Sequence, residues 1–172
     1  MRLGFCLFKY FPFGGLQRDF MDIALACQSD GHEITVYTLS WQGERPAGFN
    51  IHVIDVHAWF NHNKYVKYHR QMMELSAQDQ LDCRIGFNKM PGLDVYFASD
   101  PCFKAKPHHL IEKLWTRYHH FLDYERAVFG PDSHTHVLTI APNQQAEYAA
   151  AWQLDDSRFT LLPPGISRDA LP

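Results

Sequence analysis

Apolar side chains along this 172-residue chain follow two rhythms. Short runs rich in aromatic and branched residues occur at Arg2 to Phe8, Glu33 to Leu39, Asn50 to Val56, Asp82 to Phe87, Leu93 to Ala98, His136 to Ile140 and Phe159 to Leu162, and each predicts a strand. Between them the spacing lengthens to three and four. Phe20, Ile23, Ala24 and Cys27 mark a helix over Leu16 to Ser29, stopped by Gly31. Tyr65, Tyr68, Met72, Met73 and Leu75 mark another over Asn63 to Gln80, and a third runs from Asn143 to Trp152. The longest candidate is Pro107 to Phe129, with Leu110, Leu114, Trp115, Tyr118 and Phe121 at helical steps. Strands alternating with helices predict an α/β chain: a Rossmann-like, doubly wound, mostly parallel sheet whose ligand site lies outside the carboxyl ends of the strands.

Composition narrows the class. With 46% hydrophobic and 20% charged residues the chain is globular, of a length usual for one domain. A net charge of −3 gives no electrostatic basis for nucleic-acid binding. The apolar run after Met1 is too short for a secretory signal core, and nothing approaches the roughly 20 apolar residues of a membrane span. Cys6, Cys27, Cys83 and Cys102 lack ligand spacing and read as reduced cysteines of a cytoplasmic protein. His108 and His119, eleven residues apart, would sit about 16 Å apart on one helix, too far to share an ion, so no metal is expected.

Candidate chemistry starts at the first loop. Gly14 and Gly15 follow the first strand and open a helix, an arrangement that suits a phosphate held by backbone amides; a di-glycine that merely turns the chain is the alternative. Neither G-x-G-x-x-G nor G-x-x-x-x-G-K-[ST] is present, which disfavours a dinucleotide or ATP site and, with it, a Rossmann enzyme that modifies nucleotide sugars.

The block Lys9-Tyr10-Phe11-Pro12-Phe13-Gly14-Gly15-Leu16-Gln17-Arg18-Asp19-Phe20, then Gly31-His32, then Gly86-Phe87-Asn88-Lys89-Met90-Pro91-Gly92-Leu93-Asp94-Val95-Tyr96-Phe97-Ala98 resembles the lipopolysaccharide core glucosyltransferases. The closing Leu162-Pro163-Pro164-Gly165-Ile166 resembles the interdomain stretch of retaining family-4 GT-B glycosyltransferases. The resemblance implies transfer of a hexose, glucose in most relatives, from a UDP-sugar to inner-core heptose of lipopolysaccharide, with retention and without a metal. It implies that residues 1–172 form the N-terminal, acceptor-side domain. The paired glutamates of the donor-binding domain, separated by seven residues, are not found, so the chain is expected to be inactive alone. A non-catalytic membrane- or glycan-binding module is the alternative.

The resemblance assigns the donor pyrophosphate to the backbone of Gly14 and Gly15, and Gln17 of the same loop is the third candidate for it. Asp100, after a strand, is a candidate catalytic carboxylate that contacts a sugar hydroxyl or steadies oxocarbenium charge; a turn or cap before Pro101 is the alternative. Asp19, expected in the first turn of its helix, is the second catalytic candidate, although an acid there also simply suits the helix dipole. Acceptor contacts fall on Tyr10, Asn88 and Lys89: an aromatic that stacks on sugar or packs the loop, and a strand-end pair whose lysine suits a phosphorylated heptose unless it is an ordinary exposed lysine.

Between Phe103 and Phe121, Lys104, Lys106, Lys113 and Arg117 face a single acid, Glu112, among aromatics that include Trp115 and Tyr118. Such a basic aromatic segment suits the anionic cytoplasmic face of the inner membrane; an apolar stripe packed on the sheet is the alternative.

Overall fold

A computed structural model describes residues 1–162. The Pro163-Pro164-Gly165-Ile166 motif lies outside the described residues. All seven expected strands form: β1 (Arg2–Cys6), β2 (Glu33–Thr38), β3 (Phe49–Val53), β4 (Cys83–Gly86), β5 (Val95–Ala98), β6 (His136–Thr139) and β7 (Phe159–Leu161). They make one sheet in the order β3-β2-β1-β4-β5-β6-β7, and every pair is parallel rather than most of them. Strand order reverses between β1 and β4, so a crevice opens where the chain leaves those two strands.

Among the described residues four α-helices cover the sheet: α1 (Gly15–Ser29), α2 (Asn61–Gln78), α3 (Thr116–Phe129) and α4 (Pro142–Trp152). Alternation along β1 divides the core. Leu3, Phe5 and Leu7 turn to one face, where Phe20 and Ala24 of α1 cover them. Cys6 turns to the other, joining Tyr68 and Met72 of α2, Val128 and Phe129 of α3, and Tyr148 of α4. A buried chain of aromatic contacts (Phe5, Phe20, Phe87, Phe97) runs through the first layer. At the end of α1, Gly31 adopts φ +84°, and the N–H groups of Gly31 and His32 donate back to Gln28 and Cys27. This left-handed stop is the one the sequence predicts.

The expected long helix from Pro107 to Phe129 does not form. Only Thr116–Phe129 is α-helical, preceded by a single 3-10 turn, Glu112–Leu114, and by Trp115 in extended conformation. Leu110, Ile111 and Leu114 are 82%, 69% and 81% exposed, so the apolar stripe has no surface to pack on. A helix of this length needs such burial to propagate. His108 and His119 therefore do not share a helix, and His108 instead bonds the Phe103 carbonyl and lies beside Glu112.

Candidate active site

The loop after β1 is fastened from several sides. Tyr10 lies flat against Trp41, 4.0 Å between ring centroids, and edge-on to Phe20. Its amide donates to Ser40 and its carbonyl accepts from Gln42. Tyr10 is buried, so of its two sequence readings the loop-packing one fits, and an acceptor stack does not. Gln17 is also buried and donates its amide to the Lys9 carbonyl (3.1 Å), which holds the loop against the helix it opens.

The two glycines differ. A Cβ on Gly14 would meet the Gln17 side chain at 1.8 Å and Phe11 at 2.8 Å, so packing within the loop explains that glycine. A Cβ on Gly15 would meet nothing within 4 Å. Gly15 is the first residue of α1, it is exposed, and no side chain caps this helix end. Its amide and those just after it are therefore left for an outside acceptor.

Asp19 stands in the second turn of α1, not the first, because the helix begins at Gly15 and its first turn holds no acid. Asp19 is half-buried; desolvation pushes its carboxyl up, against the pull of Arg18.

Beside the loop, a cleft of about 210 Å³ opens at the ends of β1, β4 and β5. Phe8, Tyr65, Phe121 and Tyr124 wall it, with Phe8 stacked on Tyr65 at 4.0 Å. Asn88 and Asp100 supply polar groups and Lys106 a cation. Asn88 is partly committed, since its Oδ1 accepts from the Phe8 amide (2.8 Å) and so ties the end of β1 to the end of β4.

Asp100 is fixed through its backbone. Its carbonyl accepts from the Tyr148 hydroxyl (2.6 Å) and from Gln144 (3.3 Å). Among the described residues no donor reaches its carboxylate, and no helix begins after it, so it is not a helix cap. Although the residue is exposed, the crowded cleft mouth desolvates the carboxyl and raises it, while Lys89 and Lys106 pull it down. The result is a positioned carboxylate with a free face.

Lys89 is not an exposed loop lysine. Only 12% of its side chain is exposed, and its ammonium donates to the Pro101 carbonyl (2.9 Å) and to Glu125. Sequence reasoning missed Glu125. It is fully buried on α3 and accepts from the amides of Phe103 (2.6 Å) and Lys104 (2.9 Å) and from the Trp152 indole (3.1 Å). Burial alone would raise its carboxyl; Lys89 and the two amides override this and hold it below the usual carboxylate range. One buried carboxylate thus folds the loop that carries Asp100 onto α3 and α4. It shares the core-facing side of α3 with Tyr124, Val128 and Phe129.

The basic segment divides as well. Lys104, though exposed, is engaged: it donates to the Ala151 carbonyl (2.6 Å) and lies over the Trp152 ring. Tyr118 packs on Phe103 and His108. Lys106, Lys113, Trp115 and Arg117 remain exposed.

No family model matches this sequence. The lipopolysaccharide glucosyltransferase WaaG of Escherichia coli (strain K12) is 41% identical over 172 residues, which is 98% of this chain and 46% of that protein. Along this stretch the chain is related to WaaG. A crystal structure of WaaG, described as a glycosyltransferase involved in lipopolysaccharide biosynthesis, superposes with a TM-score of 0.93 at 40% identity, covering 97% of this chain and 46% of that one. The fold is that of the matched part of WaaG, and this chain spans a little under half the length of either relative.

Proposed function

We propose that this chain is the N-terminal, acceptor-side domain of a retaining GT-B glycosyltransferase that moves a hexose, glucose in the first instance, from a UDP-sugar to inner-core heptose of lipopolysaccharide. The observation that carries the reading is the relation to WaaG along essentially the whole chain, and Gly15 supports it. Internal packing gives no reason for a glycine at that position, whereas a pyrophosphate approaching the helix end does.

In this reading the amides at Gly15 contact the donor pyrophosphate, and Gly14 and Gln17 hold the loop that presents them. Asp100 turns its free carboxylate to the transferred sugar, accepting a hydroxyl or steadying oxocarbenium charge, with Asp19 close to the same loop as a secondary candidate. Asn88 contributes to the acceptor side of the cleft, and Lys89 acts at one remove by holding the Asp100 loop. The leaving phosphate itself helps deprotonate the acceptor on the same face of the sugar, so neither a carboxylate nucleophile nor a metal is invoked. The exposed Leu110, Ile111, Leu114 and Trp115, with Lys106, Lys113 and Arg117, rest on the anionic cytoplasmic face of the inner membrane, where the acceptor is held.

The test is transfer from UDP-glucose to purified core acceptor by a longer protein that joins this chain to a donor-binding domain. Asp100→Ala there should lower kcat by about 10²-fold, the scale of a lost transition-state contact. An unchanged rate removes Asp100 from the site. The 172-residue chain alone should not turn over; robust turnover by it would refute the half-enzyme reading.

A further inference from the structure

A second apolar surface lies outside the basic segment. Trp59 is 100% exposed and Phe60 64%, in the loop between β3 and α2, and Val66 on the first turns of α2 is 48% exposed. Large aromatics are seldom left wholly in water, because their burial is worth so much. These side chains border a shallow hollow with Ala58, Asn63 and Lys67. The loop is also fastened, since the Lys67 ammonium donates to the His57 carbonyl (2.7 Å).

Charge identifies the occupant. Between His57 and Arg70 the chain carries Lys64, Lys67 and Arg70 and no acid. While Tyr68, Met72 and Ser76 of α2 turn into the core, Val66, Lys67 and Arg70 share the exposed side at helical spacing. The exposed tryptophan and phenylalanine stand beside Lys67, at the start of a helix that also carries Lys64 and Arg70, against the one exposed acid of the loop, Asp55. That setting fits the interface of an anionic bilayer, where aromatic rings settle at headgroup level and lysines stay in water.

The surface also adjoins the basic segment. Phe60 stacks near His62, and His62 lies 6.1 Å from His120 of α3. Tyr65 of α2 and His120 both line the cleft, so the cleft opens where the two elements meet.

We infer that the β3–α2 loop and the first turns of α2 form a second membrane contact, inserting Trp59 and Phe60 into an anionic lipid interface. This rests on the membrane reading of the Lys106 to Arg117 segment and extends it. One contact leaves a protein free to rotate on a surface; two fix its orientation and multiply in strength. Here they set the cleft toward lipid-held acceptor.

The experiment uses the chain with tryptophan kept only at position 59 or only at position 115, the others changed to Phe. Each is mixed with phosphatidylglycerol-containing vesicles bearing brominated acyl chains, and with phosphatidylcholine vesicles as control. Trp59 fluorescence should shift to the blue and be quenched on the anionic vesicles, less so at high salt. In the otherwise native chain, where both side chains lie outside the core, Trp59→Ser with Phe60→Ser should weaken flotation with these vesicles at least about tenfold. Quenching at Trp115 without quenching at Trp59, or unaltered flotation of the double variant, overturns this inference and spares the membrane reading. Quenching at neither position overturns both. A blue shift that grows with protein concentration in the absence of lipid assigns the surface to a second copy of the chain and also overturns the inference.

Discussion

The two ends of the sheet are built by opposite rules. Where the strands begin, short connections close on themselves. Asp82, just before β4, accepts from the Arg2 amide at 2.7 Å and returns its own amide to the Arg2 carbonyl. Asp94, just before β5, repeats the arrangement on Arg84. β1 and β4 thus each have an amide near their start satisfied by the acid that precedes the neighbouring strand, and little is left there for a ligand. Where the strands end, most loops are longer, the two-residue link from β6 to α4 apart. Among the described residues they hold a fully exposed Trp59, a carboxylate with no donor at Asp100 and an uncapped helix start at Gly15. The difference teaches where this fold places its stability and where it leaves unsatisfied groups for something else to meet.

Glu125 joins the two regimes, because it is buried structure supporting an open loop. Replacing it by Ala would strand the Lys89 ammonium and the amides of Phe103 and Lys104. It should cost about 3–5 kcal/mol, read from urea unfolding. Its carboxyl is held below the ordinary range in the folded state, so its contribution is present above the unfolded value of about 4.3 and fades as pH falls below it. A variant that unfolds at the native midpoint with the same acid sensitivity would remove Glu125 as the organiser of that end.

The glycine pair offers a sharper cut. Gly14→Ala forces the Gln17 side chain aside and should destabilise the loop by about 1–3 kcal/mol. Gly15→Ala should leave thermal unfolding within about 0.5 kcal/mol of native, since it meets open space at the start of a helix. In the longer enzyme it should still raise KM for the UDP-sugar. Equal stability losses for the two would mean that Gly15, too, serves packing.

The smallest effects belong to the closed end. Asp82→Ala removes one exposed, charge-assisted bond and Asp94→Ala such a bond with a long Arg84 ion pair, and each should cost about 1 kcal/mol in chemical denaturation while leaving transfer untouched. A large loss of activity from either would erase the distinction between the two ends.

Much of this was legible in the chain. Alternating and helical spacing located all seven strands, and Gly31 marked the end of α1. The Gly14-Gly15 pair pointed to the first loop, and Asp100 was placed at a strand end from Val95-Tyr96-Phe97-Ala98 alone. What failed was any inference that depended on a partner distant in sequence. Lys89 was read as a free cation because nothing local predicts Glu125, 36 positions away and one crossover later. Tyr10 was read as a possible sugar stack because its packing partner Trp41 belongs to another loop. The long helix was expected because Leu110 and Leu114 have the right spacing, and spacing does not reveal whether a surface waits opposite.

The sequence by itself thus determined the order and type of the elements and the end of the sheet at which the Gly14-Gly15 loop and Asp100 stand, because period and breakers act over a few residues. The tertiary structure decided which polar groups are already satisfied. That depends on contacts across the sheet: Gln17 on Lys9, Lys89 on Glu125 and Tyr148 on the Asp100 backbone are committed, while the Gly15 amide and the Asp100 carboxylate are left open.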